Sequence, residues 1–180
     1  MKRILLTILP HLLIVGCSKE PINYETTLVE RDGVYFTKDT NKPYSAPVFS
    51  LYKDGEKKED GNIKDGKKDG LWNTWYGNGQ KRYEKTYKEG KEDGRWNQWY
   101  RNGQKKSEET YKDGELDGLL TTWYESGKKR NEQTWKNGTV DEKWTVWHEN
   151  GQKEWEGTIK DGNFISEECW DKDGNERDCN

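Results

Sequence analysis

Asp69–Glu92 reads DGLWNTWYGNGQKRYEKTYKEGKE, and the chain writes it three more times without a gap, as Asp93–Leu116, Asp117–Val140 and Asp141–Phe164. Four features keep their place. A D-G pair opens three copies, and Asp141-Glu142 replaces it in the last. W-x-x-W follows as Trp72/Trp75, Trp96/Trp99 and Trp144/Trp147, with Leu120 in place of the first Trp before Trp123. An N-G or S-G pair ends at Gly79, Gly103, Gly127 and Gly151, and a T-[YWI]-K-x-G motif starts at Thr86, Thr110, Thr134 and Thr158. A fixed period of this length marks a repeat architecture.

Within one copy, Leu71–Tyr76 and Lys81–Lys88 are rich in Trp, Tyr and Thr, which suit a pleated, half-buried surface. Asn78-Gly79 between them suits a tight hairpin turn, and Lys88-Glu89-Gly90 turns the chain toward the next strand. The expected fold is all-β: an elongated antiparallel meander of about six repeated hairpins that stacks equivalent residues into rows. A two-residue turn at Asn78-Gly79 puts Trp72, Tyr76, Tyr83 and Tyr87 on one face and Trp75 with Thr86 on the other. A three-residue turn slips the second strand by one and exchanges its faces. The two-residue turn is preferred. It makes Trp72, Tyr76, Tyr87, Trp96, Tyr100, Tyr111, Tyr124, Trp135 and Trp144 the structural, more buried aromatics. Trp75, Trp99, Trp123 and Trp147 are left as the candidate binding surface.

Composition sets the thickness of the fold. Leu, Ile, Val and Phe number only 27 of 180 residues, nine of them in the first 16, while Trp and Tyr total twenty. A thin aromatic sheet fits better than an aliphatic sandwich. Charges alternate in sign around a formal net of −3, with no basic stripe for nucleic acid.

The N-terminus reads as an export signal. Lys2-Arg3 precede the short apolar run Ile4–Val15, too short for a membrane span. It ends in Ile14-Val15-Gly16-Cys17, which resembles a bacterial lipobox whose cysteine is lipidated. Residues 1–16 are thus expected as a lipoprotein signal peptide, 17–27 as a tether, and 28–180 as the repeat domain. Its clear repeats are 69–92, 93–116, 117–140 and 141–164, between degenerate caps at 45–68 and 165–180. The expected location is the cell envelope, lipid-anchored. Ser18-Lys19 lack an inner-membrane retention Asp, favouring the outer membrane in a double envelope. Cys169 and Cys179 flank a turn at Asp173-Gly174 and are expected as a disulfide, given an oxidising compartment.

The pattern D-G-x-W-x-x-W-Y-x-N-G-Q-K-x-x-x-x-x-T-Y-K-x-G resembles the MORN-repeat variant common in bacterial proteins. That variant occurs in YwqK-like antitoxins of toxin–antitoxin systems. Val29–Phe36 and Lys42-Pro43-Tyr44 also resemble the start of that family, and the likeness spans residues 28–175. It implies a repeat scaffold and, as one function, neutralisation of a cognate toxin by direct binding.

Groups for catalysis are sparse. His148 is the one histidine after the signal and stands where other copies have Tyr76, Tyr100 and Tyr124, so it reads as an aromatic stand-in. Zinc-spaced ligands, a phosphate-cradling glycine loop and a Ser/Cys–His pair are all missing. The expected protein is therefore no enzyme and carries no cofactor or metal. Its partners are the membrane, through the N-terminal lipid, and either a protein (a toxin among them) or an envelope glycan.

Overall fold

The computed structural model describes residues 19–160 and 163–179. The signal segment and Cys17 lie outside the described residues. In chain order the elements are β1 (Ile22–Asn23), α1 (Tyr24–Thr27), β2 (Leu28–Arg31), β3 (Val34–Thr37), β4 (Ala46–Leu51) and β5 (Lys57–Lys64). They continue as β6 (Lys67–Trp75), β7 (Lys81–Lys88), β8 (Lys91–Trp99), β9 (Lys105–Lys112), β10 (Glu115–Leu116) and β11 (Gly118–Trp123). The last five are β12 (Lys129–Lys136), β13 (Thr139–Trp147), β14 (Lys153–Lys160), β15 (Asn163–Trp170) and β16 (Glu176–Arg177). All but β2 and β3 belong to one 14-stranded sheet that runs in sequence order from β4 to β16. Consecutive strands pair antiparallel, so the chain is the expected meander of hairpins.

Two turn types alternate, and they differ from the expected assignment. At Asn78-Gly79 the loop has three residues, not two. The Tyr76 N–H donates to the Gln80 carbonyl at 2.8 Å and the Gly79 N–H to the Tyr76 carbonyl at 2.9 Å. Gly79 takes a left-handed φ of +80°, whereas Asn78 does not. This is a type I turn closed by a glycine bulge. The two-residue turns lie between repeats, where Glu89 (φ 52°) and Gly90 (φ 87°) are both left-handed, as a type I′ turn requires.

The preferred face assignment survives the corrected turn for a reason visible only in the pairing. Trp75 pairs with Lys81 but Thr74 with Tyr83, so Arg82 is an extra residue on β7. That bulge restores the register a two-residue turn would have set. Trp72 therefore pairs with Lys85 and Gly70 with Tyr87. By alternation Trp72, Tyr83 and Tyr87 share one face, the Trp72 face, while Trp75 and Thr86 share the other.

In the first two copies the D-G pair lies inside a strand, whereas Gly118 opens β11. Lys85 pairs with Trp96 and Tyr87 with Glu92, so Asp93–Arg95 bulge opposite Thr86, inside β8. Gly94 holds φ +112° there, and in the last copy Glu142 must hold φ +69°.

The expected tether over 17–27 is shorter than the sequence suggests. Ile22 and Asn23 pair in parallel with Val48 and Phe49, closing the outer edge of β4. The β2–β3 hairpin does not extend the sheet but forms its own two-stranded ribbon, tied by the Tyr35 N–H to the Gly66 carbonyl at 2.7 Å. Burial of aromatic surface drives this arrangement. Leu28, Tyr44, Ala46, Val48, Ile63 and Trp72 form the core, with Ile22, Tyr24, Tyr35 and Tyr87 packed against it. Trp72 is only 2% exposed, and its ring lies over Gly61, where a Cβ would come within 2.3 Å.

At the other end Cys169 and Cys179 are disulfide-bonded, with Cα atoms 5.4 Å apart across the β15–β16 turn.

An L-residue with left-handed φ is strained by roughly 1–2 kcal/mol. Glu142→Gly should therefore raise the stability of the array by about 1 kcal/mol. Chemical denaturation of the two proteins checks it, and an unchanged midpoint contradicts it.

Candidate binding surface

The hairpins are fastened to one another by a repeated side-chain hydrogen bond. The Tyr52 hydroxyl donates to the Trp75 carbonyl at 2.6 Å, Tyr76 to Trp99 at 2.8 Å, Tyr100 to Trp123 at 2.8 Å and Tyr124 to Trp147 at 2.7 Å. His148 continues the series, with Nε2 3.2 Å from the Trp170 carbonyl. It thus stands in for tyrosine in a hydrogen bond as well as in position. Each turn tyrosine ties its own hairpin to the next one's strand end, which fixes where the tryptophan backbone sits.

On the Trp75 face those tryptophans make a ladder with lysines between the rungs. Lys57 Nζ lies 5.2 Å from the Trp75 ring centre, Lys81 5.7 Å from Trp99, Lys105 5.7 Å from Trp123 and Lys129 5.6 Å from Trp147. Lys153 does the same over Trp170 at 5.2 Å. So Trp75, Trp99, Trp123 and Trp147 are brought into one row, and Trp170 is a fifth rung that the sequence reading left out. The signal was present in the repeat itself: Trp170 precedes the Asp173-Gly174 turn as Trp147 precedes Asn150-Gly151.

Each lysine also pairs with an acid three residues on: Lys57 with Asp60 at 2.9 Å, Lys81 with Glu84 at 2.6 Å, Lys153 with Glu156 at 2.8 Å. Lys105–Glu108 and Lys129–Glu132 repeat the pair. Exposed pairs of this kind contribute little to stability, about 0–1 kcal/mol each. Their effect is to leave the ladder nearly neutral. The result is a neutral row of half-buried indoles that steps by two strands, roughly 10 Å, per rung.

The Trp72 face is different at its two ends. At the N-terminal end Tyr24 stands edge-on to Trp72 at 6.0 Å and to Tyr35 at 5.7 Å. Its hydroxyl donates to Glu59, whose carboxylate also takes Lys68 at 3.2 Å. From Trp72 the rings continue through Tyr87 and Trp96 to Tyr111. Beyond the covering segment, Trp96, Tyr111, Trp135 and Trp144 are only half-buried, as are Tyr76, Tyr100 and Tyr124. Trp72 is thus fully buried, whereas its equivalents farther along are half-buried, as the Trp75 row is. The reason is physical: the covering segment, residues 22–37, reaches only the first hairpins.

Burial leaves a pH signature. It pushes the Tyr87 hydroxyl up to about 12 and raises Tyr24, Tyr35 and Tyr111 as well, with Glu59, Glu30 and Glu109 respectively adding to the shift.

The family model described as MORN repeat variant matches residues 68–89, 92–113 and 116–137. The matches fall on three successive repeats. The first two matches start in β6 and β8, the strands that carry W-x-x-W, the third starts in β10, and all three end at the two-residue turn. Repeats of this family are in general non-catalytic scaffolds, and the sheet fits a binding role. Among curated proteins none matches the chain.

Two outcomes follow from the packing. Trp72→Ala should cost ~3–5 kcal/mol, whereas Trp99→Ala, half-buried and lysine-capped, should cost about 1 kcal/mol. Melting curves of the two variants read this directly, and equal losses would contradict it. The four tyrosines are raised above their ordinary value of 10.0, so the fold favours their neutral form. The stability they contribute is complete below that pH and is lost as pH rises through the folded values. Their tyrosinate absorbance should therefore appear above pH 10.0 together with loss of sheet signal.

Proposed function

We propose that this chain is a non-enzymatic, envelope-anchored lipoprotein whose repeat sheet is a binding scaffold for a protein or a cell-envelope glycan. The observation that carries the reading is the ladder: five Trp–Lys rungs in one row, on a face that no described element covers. Rows of this regularity engage partners through several equivalent weak contacts, each multiplying the effective concentration of the next. Trp75, Trp99, Trp123 and Trp147 are the contact residues, and the Lys57, Lys81, Lys105 and Lys129 ammonium groups supply polar contacts at the rim. Anchoring through Cys17 follows from Ile14-Val15-Gly16-Cys17 at the end of the apolar run, with the outer membrane favoured in a double envelope.

A second reading is an immunity role. The likeness of Val29–Phe36 and of the repeats to YwqK-like antitoxins supports it. An exported, tethered chain could neutralise only a toxin that acts in or crosses the envelope.

Two measurements test the proposal. Wild-type chain should incorporate labelled palmitate, and Cys17→Ser should remain an unlabelled precursor; labelling of that variant would refute the anchor. Trp99→Ala with Trp123→Ala should keep a cooperative melt yet lose retention on purified envelope glycan or on its protein partner. Retention unchanged on both matrices would refute the ladder as contact surface, and loss on one matrix names the class of partner.

A further inference from the structure

The two ends of the sheet are finished differently. At the first edge β1 pairs alongside β4, and the chain then lays Tyr24 over the Trp72 face. At the last edge β16 is two residues long and pairs only with Cys169 and Trp170. Among the described residues, no strand pairs with the outer side of β15 from Phe164 to Glu168. An open edge offers unpaired backbone donors and acceptors and is a template for another strand.

The side chains on this edge are unusual for a solvated one. Phe164 is 61% and Ile165 63% exposed, the two most exposed large apolar residues of the sheet. Phe164 packs edge-on to Trp155 at 5.9 Å. It borders a hollow of about 350 Å³ lined by Trp135, Val140, Trp144 and Ile159. That hollow lies on the Trp72 face, which the chain's own Tyr24 covers at the opposite end. Two residues farther along β15, Glu167 and Glu168 put carboxylates at the same edge. From Phe164 to Cys179 there are six acidic residues and two basic ones. Two copies of this edge paired with each other would bring those carboxylates together, and like charges facing across strands are destabilising.

We propose that the outer edge of β15 is a strand-addition site for an extended segment of another protein that carries apolar residues opposite Phe164-Ile165 and basic residues opposite Glu167-Glu168. Backbone hydrogen bonds supply the attachment, and the side chains choose the partner. One apolar side chain of the incoming strand packs against Phe164 from its outer side. The basic pair neutralises the acidic cap. The site shares β15 with Trp170, the last rung of the Trp75 ladder, but it uses the strand's backbone edge from Phe164 to Glu168, so either can fail without the other.

The probe is a capped peptide of two lysines, a threonine, an isoleucine and a valine, prepared in both chain directions and followed by amide chemical shifts of the folded protein. Saturable shifts at Ile165–Glu168 with one direction are expected. Replacing the threonine by proline should weaken binding by about tenfold or more, since strand pairing needs that N–H. Glu168→Lys, an exposed change checked by an unaltered melt, should weaken the lysine peptide and bind its glutamate counterpart. Equal binding of the proline peptide would overturn the proposal in favour of charge attraction alone. Shifts confined to the Trp75 row, or none in either direction, would overturn it as well. Concentration-dependent dimerisation abolished by Glu168→Lys would also overturn it, making a second copy the occupant.

Discussion

A tyrosine hydroxyl that reaches the carbonyl of a tryptophan 23 residues on holds each hairpin of this array to the next. The sheet needs such ties because, among the described residues, only α1 and the small β2–β3 ribbon pack on it, and only over the first hairpins. In a two-layer protein the opposing layer would bury one face of every strand, whereas here each hairpin buries its aromatics mainly against its neighbours. Stability is then close to a sum of hairpin and nearest-neighbour terms. The hydroxyl bond sits at the point where that coupling is needed: it joins a turn, which is locally stable, to a strand end that would otherwise fray.

The same bond organises the candidate surface. By fixing the tryptophan backbones it keeps the five indoles in one row, and the lysines between them follow from the repeat. Energetically the lysine–acid pairs contribute little, but they neutralise each other and leave a surface whose character is set by the rings. The ladder carbonyls thus serve the fold, and the ladder side chains form the candidate surface. The opposite face shows how an aromatic row behaves when it is covered. Trp72 is fully buried under the chain's own N-terminal segment, while Trp96 and Trp144, its equivalents in later repeats, are not.

The sites where the pattern breaks are informative too. Glu142 occupies a backbone conformation that glycine holds in the other copies. Leu120, in place of a Trp, lies between the aromatic run that ends at Tyr111 and the later cluster of Trp144, Trp155 and Phe164. The array is therefore regular in its backbone and in its Trp75 row, and varied on the Trp72 face.

Period, hairpins, strand faces and the Trp75 row were all legible in the sequence alone. The cause is local: turn chemistry and strand alternation act over a few residues, and a role written four times can be read from any copy. Three things were decided only by tertiary structure. The loop at Asn78-Gly79 has three residues, and a compensating bulge at Arg82 hides this from any count of face alternation. The D-G pair forms a bulge because its partner strand, not its own composition, supplies the opposite residue Thr86. Residues 22–27 join the fold because Trp72 offers Tyr24 a ring to pack on, 48 residues away in sequence. A contact of that range, made once and not repeated, leaves no period to read.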